Sequence, residues 1–215
     1  MSGIMSFMLG LFKKSEPNNI IKEVSSPEEL LSAATAAKKD GNLEAAISLL
    51  KKAYESIAAT DDSYRVETFL RLPLYLQEAG RKDEAWNEFQ KILTNGYPNQ
   101  SGLEYPELVP MANSAIYDKM RLFLQREGRN GEAVKYGLFS HLSWSTGLYL
   151  QKRRDEFKDY ITSESIDYIV LKLLKKANKT DLLIKISKLI KHEIRNIPNI
   201  DFEALGSKVD REIIS

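Results

Sequence analysis

The chain carries the stretch Asp40-Gly41-Asn42-Leu43-Glu44-Ala45-Ala46, and two variants of it recur further along. They read Ala79-Gly80-Arg81-Lys82-Asp83-Glu84-Ala85 and Glu127-Gly128-Arg129-Asn130-Gly131-Glu132-Ala133. Each copy follows one helical pattern and opens another. Glycine suits the end of the first helix because it accepts the positive φ that often terminates a helix. The Glu-Ala pair that follows then favours the start of a new helix. The three copies therefore predict helix–turn–helix units and an all-α fold.

The composition narrows the class of protein. The chain has 215 residues, of which 43% are hydrophobic and 28% are charged, which suits one core with a soluble surface. Its net charge of +1 gives no electrostatic reason to expect nucleic acid as a partner. The lack of cysteine excludes disulfides, thiol catalysis and thiolate metal sites, and it suits a reducing compartment. With no apolar run as long as the ~18–20 residues of a membrane-spanning helix, we expect a cytoplasmic protein.

Residues 1–25 are predicted to form a flexible tail that ends in a polar linker around Pro17-Asn18-Asn19. The beginning of the tail is apolar, but its charges follow the apolar residues, whereas a secretory signal places them before. We expect this apolar stretch to be free or to dock its side chains on the first helix. One alternative is a segment that binds a partner. Another is a membrane-surface anchor, in which lysines at the headgroups follow inserted apolar side chains: Phe7, Leu9, Leu11 and Phe12, then Lys13 and Lys14.

Cap residues and prolines predict where helices begin. Ser26-Pro27-Glu28-Glu29 combines a hydroxyl cap, proline at the first helical position and two acids at the positive helix end. Asp61-Asp62-Ser63 predicts the start of a third helix, with a kink or a late start at Pro73. The fifth helix is predicted to begin between Pro106 and Pro110.

Two segments depart from the regular pattern. Residues 97–105 make a loop longer than a helical pair requires. The simpler interpretation is an insertion whose flanking tyrosines pack on neighbouring helices, and the alternative is a contact loop for a partner. In the sixth helix, which starts near Asn130, the glycines Gly137 and Gly147 predict an interruption near residues 143–147.

The units resemble the tetratricopeptide repeat (TPR) family, in which units of about 34 residues each have two antiparallel helices. The first unit, about residues 27–60, matches in Leu30, Ala33, Ala34, Ala37, Gly41, Leu43, Ala46, Leu50 and Ala53. The second, about residues 66–99, matches in Phe69, Leu72, Gly80, Ala85, Phe89 and Pro98, but has Pro73 where the family prefers a small residue. The third, about residues 114–147, keeps Tyr117, Leu124, Gly128 and Ala133, but has Gly137 and Ser140 where the family has an aromatic residue and an alanine.

The resemblance covers somewhat over half of the chain and implies a right-handed solenoid with a concave face. We divide the chain into the tail (1–25), a TPR-like repeat region (26–161) and a C-terminal helical cap (162–215). The turn glycines at 41, 80 and 128 are unevenly spaced, so a strict array is not expected.

The resemblance also implies that the first helix of each pair lines a groove for a protein or peptide partner. By motif position the groove residues are Leu31, Thr35, Lys38, Lys39, Leu70, Leu74, Gln77, Glu78, Asp118, Leu122, Gln125 and Arg126. Chaperone-binding members of the family grip a C-terminal carboxylate with lysine and asparagine where this chain has Leu31 and Thr35. We therefore expect a more apolar groove, or binding by edges and loops, rather than that clamp. The alternative is that these leucines are simply buried by the tail or by neighbouring helices.

No motif predicts catalysis. Of the two histidines, His192 lacks the second histidine of a zinc-protease helix, and His141, flanked by Phe139-Ser140 and Leu142-Ser143, is expected to be a packed or partly exposed side chain rather than a ligand. A glycine-rich phosphate loop, a nucleophile elbow and a dinucleotide fingerprint are all missing from the sequence. We therefore expect a protein-binding adaptor that is not an enzyme and needs no cofactor.

Two other functions compete with the adaptor. The first is an immunity-type protein that neutralises a toxin by covering its active site, for which the long 97–105 loop would serve. The second is binding to an acidic surface, either nucleic acid or anionic lipid, through the basic 172–195 hairpin. Its candidate patch is Lys172, Lys176 and Lys179, which share a helical face at i, i+4 and i+7. Exposed apolar edges would also favour self-association.

Overall fold

The computed structural model describes residues 26–100, 105 and 107–214, and within them the chain forms helices and no strand. The prediction of an all-α fold is confirmed for this part of the chain. The tail 1–25 lies outside the described residues. The helices are α1 (Pro27–Lys39), α2 (Leu43–Ala58), α3 (Val66–Phe69), α4 (Arg71–Glu78), α5 (Lys82–Asn95), α6 (Leu108–Arg126), α7 (Asn130–Leu150), α8 (Arg154–Tyr160), α9 (Ser163–Ala177), α10 (Leu183–Glu193) and α11 (Phe202–Ile214).

Local signals set the first turn as the sequence predicts. The Ser26 hydroxyl accepts a hydrogen bond from the Glu29 amide at 3.2 Å, and the Ser26 amide donates to the Glu29 carboxylate at 3.4 Å, which closes a capping box. Gly41 then has φ +78°, and the equivalent glycines of the other two turns have φ +79° and +75°. A Cβ added at any of the three would meet nothing within 4 Å. These turns therefore need glycine for its backbone conformation and not for space.

The third predicted helix starts later than expected. The prediction that Asp61-Asp62-Ser63 begins it was wrong, because helix starts only at Val66 and breaks again between α3 and α4. The Asn99 side chain explains this delay. Its amide donates to the carbonyl oxygens of Ile57, Thr60 and Asp62 at 3.1, 2.9 and 2.7 Å, and these bonds hold the segment as a loop. Pro73 lies in the first turn of α4, where its missing N–H has no helical partner to lose.

The 97–105 loop is described only in part. Tyr97 stacks on Phe69, with ring centroids 5.0 Å apart, as an ordinary packed insertion would have it. Tyr105 is 57% exposed and does not pack in that way. Residues 101–104 and 106 lie outside the described part of the chain.

The predicted interruption near residues 143–147 was wrong, because α7 is one continuous helix. Its glycines allow neighbouring side chains to approach closely. A Cβ at Gly137 would lie 2.5 Å from Leu173, and one at Gly147 would lie 2.5 Å from Met111. The helix is further tied to α6, since the hydroxyls of Ser114 and Ser140 each donate to the other residue's carbonyl, at 2.8 and 2.9 Å.

Helix α7 is the centre of the packing. It contacts α6, α8, α9 and α11, while α1 packs on α2, α4 packs on α2 and α5, and α10 packs on α9 and α11. One continuous core joins these layers and includes large side chains from most of them: Leu50, Leu76, Phe89, Phe123, Leu138, Leu142, Leu174, Ile186 and Leu205. Among the described helices, none combines the length and apolar character needed to cross a bilayer.

Candidate functional site

The predicted groove residues lie on helices that the structure brings side by side. The first link joins α1 to α4 through Arg71, whose guanidinium donates to the Leu31 carbonyl at 3.0 Å and to the Thr35 hydroxyl at 2.8 Å. The second joins the ends of the same helices, where Lys38 and Glu78 form an ion pair at 2.6 Å. The helices α1 and α4 therefore share one polar surface.

The third link joins α4 to α6 through Gln77. Its side-chain amide donates to the Phe123 carbonyl at 3.1 Å and to the Glu127 carboxylate at 2.9 Å. Its own oxygen accepts from Arg126 at 3.3 Å. Since Gln77 is only 8% exposed, these bonds fix the side chain in one position and orient its neighbours.

A cleft of about 440 Å³ opens where the three helices meet. We call it the polar cleft. It is lined by Lys38, Arg71, Leu74, Tyr75, Gln77, Glu78, Arg126 and Glu127. Five of these belong to the predicted groove, namely Lys38, Leu74, Gln77, Glu78 and Arg126. Arg71 is missing from the predicted set, although it precedes Leu74 and Glu78 at i, i+3 and i+7 and so shares their helical face.

The charges in the polar cleft are only partly balanced. Lys38 is paired with Glu78, and Glu127 is paired with Lys82. The hydrogen bond from Lys82 is the largest cause of the lowered pKa of Glu127. Arg71 and Arg126, in contrast, form no ion pair with any described carboxylate. Both guanidiniums are thus oriented by uncharged partners and retain capacity for a carboxylate.

Tyr75 forms the floor between these cations. It is 8% exposed, with the Lys38 ammonium 4.6 Å from its ring centroid and the Arg71 guanidinium at 5.8 Å. A buried ring with cations above it stabilises their positions by cation–π attraction. The cleft therefore offers a flat apolar base with donors around it, and it is more polar than the predicted groove.

The remaining predicted groove residues fall into three groups. Leu70 is 1% exposed, because it lies at the break between α3 and α4 and turns into the core. Asp118 and Gln125 belong to a second polar group, in which Arg121 donates to them at 2.6 and 3.0 Å. The others do not line the cleft: Leu31, Thr35, Lys39 and Leu122.

The lysines of the basic 172–195 hairpin do not form one continuous, unpaired basic face. Helix α9 ends at Ala177 and Asn178 is left-handed with φ +55°, so Lys179 lies beyond the helix that carries Lys172 and Lys176. Lys176 donates to Gln125 at 3.3 Å. Two further lysines of the hairpin are paired with acids on neighbouring elements, Lys191 with Asp167 at 2.8 Å and Lys185 with Glu212 at 3.2 Å. The hairpin's own acid Glu193 is paired with Lys208 of α11 at 3.2 Å.

In the part of the chain that the structure describes, no group of three or more His, Cys, Asp or Glu side chains is placed to hold a metal ion. His141 is a packed side chain, 4% exposed, with its ring stacked on Tyr160 at 4.4 Å. Burial lowers its pKa from 6.5 to about 4. His192 is exposed on α10.

No family model, curated protein or solved structure matches this chain significantly. The likeness to TPR proteins therefore rests on the residues of the three turns and on the helix pairs that flank them.

Proposed function

We propose that this chain is a non-catalytic adaptor that holds a carboxylate-bearing peptide segment of a partner protein in the polar cleft. The observation that carries this proposal is the pair of guanidiniums, Arg71 and Arg126, that line the cleft with only uncharged partners among the described residues. Arginine presents planar donors that match a carboxylate in two parallel hydrogen bonds.

Two features support binding rather than a purely structural role. Gln77 is held by three hydrogen bonds, so the Arg126 side of the cleft is ordered before a ligand arrives. On the other side, Thr35 and the Leu31 carbonyl orient Arg71. Groups that are already ordered lose little conformational entropy on binding, which favours affinity.

The pKa is lowered for five carboxylates, so none of these five is tuned as a general acid. A hydrogen bond from a lysine or arginine is the largest cause of the lowered pKa of Glu84, Glu127, Glu132 and Asp167. For Glu28 the largest cause is a hydrogen bond from a tyrosine. A general acid at neutral pH needs the opposite shift. These carboxylates act as partners in ion pairs and hydrogen bonds.

The proposal extends to a TPR-like architecture with α1, α4 and α6 as the groove-lining helices. Its support is that cross-helix bonds join α1 to α4 and α4 to α6, the order that the resemblance implies. The glycine turns that precede α2, α5 and α7 share one backbone conformation, as repeated units would.

The test is affinity capture from native lysate with the full chain and with the double variant Arg71→Gln/Arg126→Gln. We expect one stoichiometric protein to bind the wild type and to be lost from the double variant. The matched control is Lys52→Gln/Lys91→Gln, which removes two exposed charges from α2 and α5, away from the cleft.

Circular dichroism checks that all variants remain folded. Equal capture by the double variant and the wild type would exclude the polar cleft as the binding site. The identity of the partner decides between an adaptor and the toxin-neutralising alternative, because only the latter captures a toxin whose activity the chain abolishes.

A second candidate function is binding to an anionic surface through α10. Lys188 and Arg195 are exposed, have no ion-pair partner among the described residues, and line one cleft of about 510 Å³ with Lys191 and His192. Retention on heparin at low salt, lost in Lys188→Gln/Arg195→Gln, would support this function. Flow-through of the wild type at low salt would exclude it.

A further inference from the structure

A third cleft, of about 540 Å³, lies between residues 63–67 and the pair α6 and α7. We call it the apolar cleft. Its large side chains are Tyr64, Val66, Tyr97, Leu108, Met111 and Trp144. It shares no lining residue with the polar cleft, so its occupant is independent of the proposed function.

Three of these side chains have incomplete packing. Leu108, Met111 and Trp144 are partly exposed, and none belongs to the described core or to the layer packed against it. Met111 is placed over α7 because Gly147 leaves room for it. Apolar side chains gathered at one opening, outside the core, are typical of a surface that another segment covers.

We propose that the chain's own apolar segment Phe7–Phe12 docks in the apolar cleft. The place where the preceding chain joins the described fold supports this occupant. The Tyr64 hydroxyl donates to the carboxylate of Glu28, in the first turn of α1, and Tyr64 also lines the cleft. Residue 26, where the tail meets α1, therefore lies near the rim of the cleft.

The linker is long enough for this return. Residues 13–25 separate Phe12 from Ser26, and thirteen extended residues span up to about 45 Å, ample for a return to a nearby rim. A short tether of this kind gives an effective concentration on the order of millimolar, so even a weak contact is populated. Docking the segment closes the linker into a loop, and the entropic cost of closing a loop grows only slowly with its length.

The segment also matches the cleft chemically. It presents large apolar side chains at alternate positions, Phe7, Leu9 and Leu11, which face the same way in an extended chain. The two acids that line the cleft are already paired within the fold, Glu67 with Arg65 at 3.5 Å and Asp118 with Arg121 at 2.6 Å. The match between segment and cleft therefore rests on apolar contact.

The test uses the two tryptophans, Trp86 and Trp144, labelled as 5-fluorotryptophan in the full chain. Trp144 lies in the cleft, whereas Trp86 packs on Phe123 with ring centroids 5.4 Å apart and serves as an internal reference. Trp144→Phe assigns the two fluorine resonances. We expect Phe7→Ser/Leu9→Ser/Leu11→Ser to increase the solvent isotope shift of the Trp144 resonance about twofold, because the segment that shields the ring is released.

The matched control replaces polar linker residues, Ser15→Gly/Asn18→Ser/Asn19→Ser, and leaves both resonances unchanged. A Trp144 resonance that does not respond to the apolar substitutions would overturn the proposal.

A second measurement uses the absence of cysteine from the chain. Leu9→Cys is combined either with Ala115→Cys, in the cleft, or with Gln90→Cys, which is more exposed and lies on α5. We expect the intramolecular disulfide to form about tenfold faster with the first partner, since docking raises its effective concentration.

Equal rates for the two pairs would overturn the proposal. So would cross-linked dimers whose yield rises with protein concentration, which would assign the cleft to a second copy. Sedimentation of the wild type with phosphatidylserine-containing vesicles, together with an unresponsive Trp144, would assign the segment to a membrane surface instead.

Discussion

The stability of the fold should depend on pH through a single buried imidazole. His141 is 4% exposed, and neither of its ring nitrogens has a hydrogen-bond partner among the described residues. Tyr160 covers one face of the ring at 4.4 Å. A charged imidazolium at this site would lose its hydration without compensation, and burial accordingly lowers the pKa of His141 from 6.5 to about 4.

The sign of the effect is set by proton binding. Above pH ~6.5 both folded and unfolded chains hold the imidazole neutral, so the stability is fully present. As the pH falls from there towards ~4, only the unfolded chain binds the proton, and the free energy of unfolding decreases. The difference in pKa corresponds to about 3 kcal/mol in total, of which about 2 kcal/mol is lost between pH ~7.5 and ~5.0.

The assay is urea denaturation at these two pH values for wild type and His141→Phe. Phenylalanine keeps the stack on Tyr160 but does not titrate, so we expect the variant to lose less than about 0.5 kcal/mol over the same interval. Carboxylates contribute mainly at lower pH, because their lowered pKa values lie below 4.5. The control His192→Gln removes the chain's other imidazole, which is exposed on α10.

An equal loss of stability in the wild type and in His141→Phe would refute the reasoning. A variant that is also much less stable at pH ~7.5 would still be informative, because the prediction concerns the difference between two pH values and not the absolute stability.

Three further predictions test the packing. Gln77→Ala should lower the free energy of unfolding by about 1–3 kcal/mol, measured by urea denaturation, because it removes the bonds of a buried side chain to the Phe123 carbonyl, Glu127 and Arg126. Gly147→Ala should lower the free energy of unfolding by about 1–3 kcal/mol, because the new methyl group meets Met111. Gly131→Ala adds a methyl group whose nearest atom is 3.1 Å away, so it should lower the free energy of unfolding less. Thermal melting of both variants compares the two losses. Asn99→Ala should lower the melting temperature and speed proteolysis between α2 and α3, because the side-chain amide that bridges the carbonyls of Ile57, Thr60 and Asp62 is lost. Unchanged cleavage would contradict the role assigned to that amide.

Features that depend on a few adjacent residues were predictable. The capping box at Ser26 needs only the three residues that come after it, and the turn at Gly41 needs only a glycine between two helical patterns. A new helix start close to Pro73 was predictable for the same reason, since proline favours the first turn of a helix, and Pro73 lies in the first turn of α4. Such signals are complete within one turn of helix.

Features that depend on distant partners were not predictable. The loop before α3 is held by Asn99, 37 to 42 residues away in sequence. Gly147 by itself favours a helix break, and only the packing of Met111 against it shows why the helix continues. Motif positions mark one face of a helix, and this is why the predicted groove correctly includes Gln77 and Arg126. They do not mark a break between helices, and this is why the predicted groove also includes Leu70, which is buried at the break between α3 and α4.

The continuous helix α7 has a consequence for how the chain can be divided. Its 21 residues form a rod about 31 Å long that carries α6 on one side and α9 and α11 on others. Leu173 of α9 lies over Gly137, and Gly206 of α11 lies against Phe139, so both surfaces belong to one cooperative unit. A fragment cut at residue 161 would expose this rod along its length and aggregate. The shortest independent carrier of the polar cleft therefore extends to the last helix.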